Sequence, residues 1–311
     1  MIRPLMCLAP AILLAGCAAK APGSASAVSE TIVVGGIERS YVVHVPPRLT
    51  TPRPLLVALH GGGGSGRHMS ERYGLGLDRL ADREGLIAVF PDAVERNWND
   101  GRGGAPYRAH RENLDDVAFI RALVARIGAR HAIDHRRIYV TGVSNGGMMS
   151  LRLVCEAADL IAAAAVVVAS MPADLGSRCR PSRPVPVLMI NGTEDELMPY
   201  DGGDVRFLRR RLGRVWSTPR TTAFLAERNG CASPPARRDR RDVDPGDGTR
   251  VSEEIHRECR DGGEVALLRI DGGGHGWPGA TLRRPRWLVG RISRDIDATD
   301  EVWRFLRRHH R

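Results

Sequence analysis

The stretch Gly142-Val143-Ser144-Asn145-Gly146 constrains this chain more than any other, because of what flanks it. It follows the apolar run Ile138-Tyr139-Val140-Thr141 and precedes Met148-Met149-Ser150-Leu151-Arg152-Leu153. The first run reads as a strand and the second as a helix start. A serine between two glycines on a strand-to-helix turn is held out where its hydroxyl can act as a nucleophile. The glycines let the backbone turn tightly. The helix N-terminus behind the serine favours developing negative charge. A surface turn of small residues would share the glycines but not the strand and helix on either side.

A serine hydroxyl is a weak nucleophile at neutral pH. It needs a base, and the base needs an orienting acid. On a strand-turn-helix scaffold these follow in the chain order Ser, acid, His. Downstream, the apolar run at 185–190 ends in Asn191-Gly192-Thr193-Glu194-Asp195. Glu194, Asp195, Glu196 and Asp201 all lie near the end of that strand. Asp195 has the strand-to-turn spacing that best reaches the serine. Glu194 and Glu196 read as solvated loop charges, and Asp201 as a turn former beside Gly202-Gly203. The last strand, at 265–270, runs into Asp271-Gly272-Gly273-Gly274-His275-Gly276-Trp277-Pro278-Gly279. A histidine on so glycine-rich a loop has few neighbours to bury it, which marks His275 as the base.

A fourth motif lies earlier. The strand-like run Pro54-Leu55-Leu56-Val57-Ala58-Leu59 enters His60-Gly61-Gly62-Gly63-Gly64-Ser65-Gly66. Acyl transfer passes through a tetrahedral oxyanion that backbone N–H groups must stabilise. A glycine loop after an early strand supplies one donor and the residue after the nucleophile the other. Here the donors would be Gly62 or Gly63, together with Asn145, and His60 would support the loop. No Gly-Lys-Ser/Thr follows, so the loop is not a nucleotide-phosphate loop. Its glycines and acids are also misplaced for dinucleotide binding. This chemistry calls for no cofactor.

These residues resemble the bacterial secreted polyhydroxybutyrate depolymerase and feruloyl esterase family of α/β-hydrolases. The similarity runs through residues 60–66, Asn97-Trp98-Asn99-Asp100-Gly101-Arg102, residues 142–150, 191–203 and 273–279. The family's serine, aspartate and histidine match Ser144, Asp195 and His275. One departure is Asn191, where many relatives carry histidine. The resemblance implies a serine carboxylic-ester hydrolase acting through an acyl-enzyme. The substrate classes it leaves open are hydroxyalkanoate polyesters or oligomers, feruloyl or acetyl groups on plant polysaccharide, and small esters. Trp98, Tyr200 and Trp277 are candidates for an aromatic substrate pocket. A peptidase on the same fold would need a recognition domain for which the chain has no room. A non-catalytic binding lipoprotein would have no use for three intact motifs.

The coarse element order agrees with one α/β domain, its mostly parallel sheet covered by helices on both faces. Residues 31–35 and 39–45 suggest an opening hairpin, 86–90 and 163–169 further strands, and 112–130 a helix. Val117, Ile120, Leu123, Val124 and Ile127 form the apolar stripe of that helix. Residues 293–308 suggest a closing amphipathic helix. The formal charge of +10 comes almost wholly from arginine, with Lys20 the only lysine. The arginines are spread out apart from 206–214, 237–241 and the tail 307–311, and no nucleic-acid reading motif accompanies them, so nucleic acid is not an expected partner; solvated surface charge is the first reading and adhesion to anionic lipid headgroups or polyanions the second.

The N-terminus carries a positive start, Met1 to Arg3, and an apolar stretch at 5–15, too short to span a membrane. Leu14-Ala15-Gly16-Cys17 resembles a bacterial lipoprotein cleavage box. That implies a signal peptide over 1–16, lipidation of Cys17, a flexible tether over 17–30 and a catalytic domain over 31–311. The protein would then be a membrane-anchored lipoprotein, at the outer membrane where one exists; simple cleavage would instead release it to the periplasm or medium. Export makes the cysteines Cys155, Cys179, Cys231 and Cys259 candidates for two disulfides. Three pairings are open; sequence neighbours, Cys155–Cys179 and Cys231–Cys259, are favoured, and the resemblance favours the same pairing. No C-x-x-C spacing or histidine pair suggests a metal site.

Overall fold

A computed structural model describes residues 28–47, 52–208, 210–232, 234–282 and 285–311. The expected signal peptide, the lipidation candidate Cys17 and the expected tether as far as residue 27 lie outside the described residues.

The chain opens with β1 (Val28–Val34) and β2 (Ile37–His44), an antiparallel hairpin. Its two-residue turn is Gly35-Gly36, both at positive φ, 58° and 76°. Such a turn matches the twist of the paired strands, and glycine adopts it without strain. The hairpin corrects the tether boundary, since residues 28–30 already belong to β1. Next come β3 (Arg53–Leu59), α1 (Leu77–Glu84), β4 (Ile87–Pro91), α2 (Arg108–Arg111), α3 (Asp116–Arg130) and β5 (Ile133–Val143). The middle of the chain gives α4 (Asn145–Glu156), β6 (Ala163–Val167), α5 (Ala173–Arg178), β7 (Val187–Gly192), β8 (Gly203–Phe207) and β9 (Arg210–Val215). It closes with α6 (Thr218–Asn229), β10 (Ala236–Asp239), β11 (Arg250–His256), β12 (Val265–Asp271), α7 (Arg286–Val289) and α8 (Ala298–Leu306).

Ten strands form one sheet in the order β1-β2-β4-β3-β5-β6-β7-β12-β11-β10. The six from β4 to β12 are parallel, and antiparallel pairs flank them at each edge. Both faces are covered, which explains why the central strands are apolar without alternation. In β3, Leu55, Val57 and Leu59 pack on one face with α3 and α4, while Leu56 and Ala58 pack on the other with α1 and α8. This is the α/β-hydrolase arrangement expected from the element order.

Two sequence boundaries shift. The helix expected over 112–130 starts at Asp116, where the Asp115 carboxylate caps it by accepting the Ala118 N–H at 2.8 Å. The closing helix starts at Ala298, capped by Asp297. Ile296 is buried all the same, from the loop before that cap. An acid that accepts backbone N–H bonds ends the helix more sharply than apolar spacing can reveal. The disulfides are Cys155–Cys179, which joins the end of α4 to the end of α5, and Cys231–Cys259. The separate hairpin β8–β9 stands off the main sheet beside the C-terminal ends of the parallel strands.

Candidate active site

The C-terminal ends of parallel strands are where an open α/β sheet presents its ligand crevice. Ser144 sits there, between β5 and α4, at φ 56° and ψ −118°. A non-glycine residue in that region is strained and persists only where its surroundings force it. The neighbouring glycines do the forcing. A Cβ at Gly142 would overlap the Gly146 carbonyl, and one at Gly146 would overlap the Leu59 carbonyl of β3. The turn therefore closes only with glycine at both places.

Three side chains meet in a row. The Ser144 hydroxyl lies 2.9 Å from His275 Nε2, and His275 Nδ1 lies 2.7 Å from Asp195 Oδ2. Asp195 is buried, and its Oδ1 accepts the backbone N–H groups of Leu197 and Met198 at 2.9 and 2.8 Å. These bonds leave Oδ2 to receive Nδ1–H, so Nε2 faces the serine as an acceptor. The His275 loop is fixed by its backbone: Gly274 N–H donates to Arg291 O and His275 N–H to Val289 O. Of the other acids, Glu194 is exposed and pairs with Arg291 at 2.6 Å, and Glu196 and Asp201 are exposed. None of these three contacts the histidine.

The glycine loop is held from behind. His60 has no exposed surface; its Nδ1–H donates to Gly61 O at 2.8 Å, and its Nε2 accepts Ala93 N–H at 3.1 Å. Burial pushes its pKa down to about 4, so it stays neutral. Gly63 N–H donates to Arg96 O at 2.9 Å. That bond removes Gly63 as a donor and leaves Gly62. Asn145 opens α4, where an N–H has no partner within its own helix.

The Asn145 side chain locks a second loop. Its Oδ1 accepts Trp98 N–H at 2.8 Å, and its Nδ2 donates to Trp98 O and to Asp100 Oδ2, at 3.1 and 2.6 Å. Asp100 is fully buried beside Arg102, which also binds Leu212 O, and His110. Burial alone would raise the Asp100 pKa; the Arg102 guanidinium and the His110 hydrogen bond outweigh it and hold the carboxyl well below the usual range. The sequence reading gave Asp100, Arg102 and His110 no role. Their signal was the charge cluster within and after Asn97–Arg102, whose burial cannot be read from composition.

A cavity of about 390 Å³ opens over Ser144 and His275. Trp277 lines it, with its ring N–H donating to Thr299 Oγ1 at 3.1 Å. Two other aromatic candidates need correction. Trp98 has no exposed surface; it packs against Phe119 and donates to His60 O, so it is core. Tyr200 lies outside the cavity, under the Arg269 guanidinium. The walls that sequence missed include Tyr107, Val205, Leu212 and Leu288. They come from three separate segments, the turn before α2, the β8–β9 hairpin and α7, and carry no chemical signature.

The chain is similar to known esterases in sequence and in fold. A family model described as "Esterase PHB depolymerase" matches residues 39–200, more than half of the chain. "Putative esterase NocK" of Nocardia uniformis subsp. tsuyamanensis is 32% identical over 290 residues, covering 91% of this chain and 83% of that protein. Feruloyl esterase B of Piromyces equi is 30% identical over 245 residues, 76% of this chain but only 42% of that protein. Among solved structures, an acetyl xylan esterase from Aspergillus awamori has a TM-score of 0.55 at 15% identity, covering 80% of this chain and 94% of that one. A thermostable esterase has a TM-score of 0.57 at 17% identity, covering 92% of this chain and 63% of that one. These two share the fold. On the family match and the NocK similarity together, the chain belongs to the esterase PHB depolymerase family of α/β-hydrolases.

Proposed function

We propose that the protein hydrolyses carboxylic esters through an acyl-enzyme on Ser144. The hydrogen-bonded row Ser144–His275–Asp195 is the observation that carries this reading. Ser144 Oγ attacks the ester carbonyl carbon while His275 Nε2 takes its proton. Asp195 holds Nδ1–H and stabilises the imidazolium that forms. The N–H groups of Gly62 and Asn145 stabilise the oxyanion. As the intermediate collapses, the C–O bond breaks and His275 gives its proton to the leaving alcohol. A water molecule, deprotonated by His275, then attacks the acyl carbon and releases the acid and Ser144. All groups needed are side chains or backbone of this chain.

The substrate class follows from the family: hydroxyalkanoate esters are the first reading. Esters of feruloyl or acetyl groups on polysaccharide are the second, supported by the similarity to feruloyl esterase B. The two disulfides fit an oxidising compartment and so support export; the Cys17 anchor rests on the resemblance of residues 14–17 to a lipoprotein cleavage box. The deciding experiment is a hydrolysis panel of short nitrophenyl esters, hydroxybutyrate oligomers and methyl ferulate, run on wild type and Ser144→Ala. Hydrolysis of none of them, or equal hydrolysis by both proteins, rejects the proposal. Detergent fractionation with N-terminal sequencing tests the anchor. A soluble mature protein that does not begin at Cys17 rejects it.

A further inference from the structure

We propose that the rim of the active-site cavity docks on an anionic lipid surface, so that ester substrate enters from that surface rather than from bulk water. Of the seven large apolar side chains exposed among the described residues, four line this mouth or stand next in sequence to a residue that does; Val28, Val33 and Val243 do neither. Phe207 and Leu282 line the cavity and are also exposed. Leu208, 73% exposed, follows Phe207 at the turn of the β8–β9 hairpin. Trp287, 77% exposed, precedes the cavity residue Leu288 on α7. Exposed apolar groups clustered around a cleft mark an interaction site.

Charge selects the partner. The hairpin strands carry Arg206, Arg210, Arg211 and Arg214 against a single acid, Asp204. Arg206 and Arg211 share that acid, at 3.2 and 3.4 Å. Glu196 lies beside Arg206, Arg211 and Arg214, and Asp174 and Asp201 lie on the side of Arg214. Arg286, exposed on the α7 helix that carries the cavity residues Leu288 and Val289, adds a further cation. An uncharged polyester surface offers these arginines no anion, and a neutral polysaccharide, although its sugar rings stack on tryptophan, offers the arginines no anion and Leu208 no apolar layer. The headgroup region of an anionic bilayer accepts both. Tryptophan sits at that depth, arginine pairs with the phosphates, and the apolar tips enter the acyl boundary.

Docking stands apart from the catalytic reading, because it is measured on the inactive Ser144→Ala chain. That chain also carries Cys17→Ser, which removes the thiol a lipid anchor would use. The probe is a set of vesicles of phosphatidylcholine with phosphatidylglycerol, with or without brominated acyl chains. Trp98, Trp277 and Trp303 are buried and Trp216 is half-buried, so the bromine quenching that Trp287→Leu removes is the signal that reports on Trp287. Quenching is expected with anionic vesicles and should weaken as salt is added. Trp287→Leu should lose the quenching yet still sediment with the vesicles. Arg210→Ser with Arg286→Ser should weaken binding about thirtyfold, at roughly fivefold for each arginine near an anionic surface. An unchanged thermal unfolding midpoint would show that this variant is folded. Four results would overturn the proposal: no quenching, equal binding to pure phosphatidylcholine, binding to hydroxybutyrate granules but not vesicles, or self-association abolished by Leu208→Ser.

Discussion

His60 ties acid sensitivity to the loop that carries the Gly62 donor. Its folded pKa is about 4 because burial penalises the imidazolium. Protonating Nε2 would also break its bond from Ala93 N–H. In the unfolded chain a histidine titrates near its ordinary value of about 6.5. Between the two values the unfolded state binds more protons. The stabilisation is therefore complete above about pH 6.5, declines as pH falls through that window, and levels off below about 4. At about pH 4.5 the loss from His60 alone is about 2.5 kcal/mol relative to neutral pH. His60→Gln keeps one donor and one acceptor but cannot titrate. Urea unfolding of both proteins at about pH 7.5 and 4.5 isolates the histidine, because His309, also pushed down to about 4 by burial, contributes equally to each. Wild type should lose about 2.5 kcal/mol more than the variant. Equal losses would refute the buried neutral imidazole. If the variant does not fold, imidazole nitrogen NMR of wild type decides instead. An imidazolium signal from His60 at about pH 5.5 would refute the reasoning.

The remaining expectations concern the site and the cross-links. Ser144→Ala should keep its fold and lose turnover on the order of 10⁶-fold, with a serine-reactive phosphonate labelling wild type only at Ser144. Asp195→Asn should cost on the order of 10⁴ in kcat. Glu194→Gln, at an exposed position paired with Arg291, should stay within a few-fold, and the reverse order would reassign the acid. Asp100→Asn leaves the buried Arg102 without its carboxylate, so denaturant unfolding should show a loss of about 3–5 kcal/mol. Replacing both Cys231 and Cys259 by serine should cost roughly 2–4 kcal/mol, and a stability unchanged by the double replacement would deny that this bridge constrains the unfolded chain.

The sheet, and the residues that meet at one edge of it, were legible from residue order and apolar pattern. Apolar runs such as 54–59 and 185–190 became central strands because burial on both faces demands continuous hydrophobicity. The elbow at Ser144 was legible because few residues fit its geometry, and the glycines on either side are the ones that do. Asp195 and His275 were legible because each lies on the loop just after a strand, β7 and β12, which are neighbours in the sheet. Tertiary structure alone decided which glycine N–H remains free, since the Gly63 bond to Arg96 O joins residues whose approach no local pattern encodes. It moved Trp98 from a supposed pocket into the core, because an aromatic beside a glycine loop can face either way until Phe119 and His60 close over it. It also made Asp100, Arg102 and His110 one buried network around Asn145. Charge in a sequence reports composition, whereas burial depends on which distant segments pack above it. The cavity walls belong to the same class: Val205, Leu212 and Leu288 are ordinary apolar residues until the β8–β9 hairpin and α7 fold over Ser144.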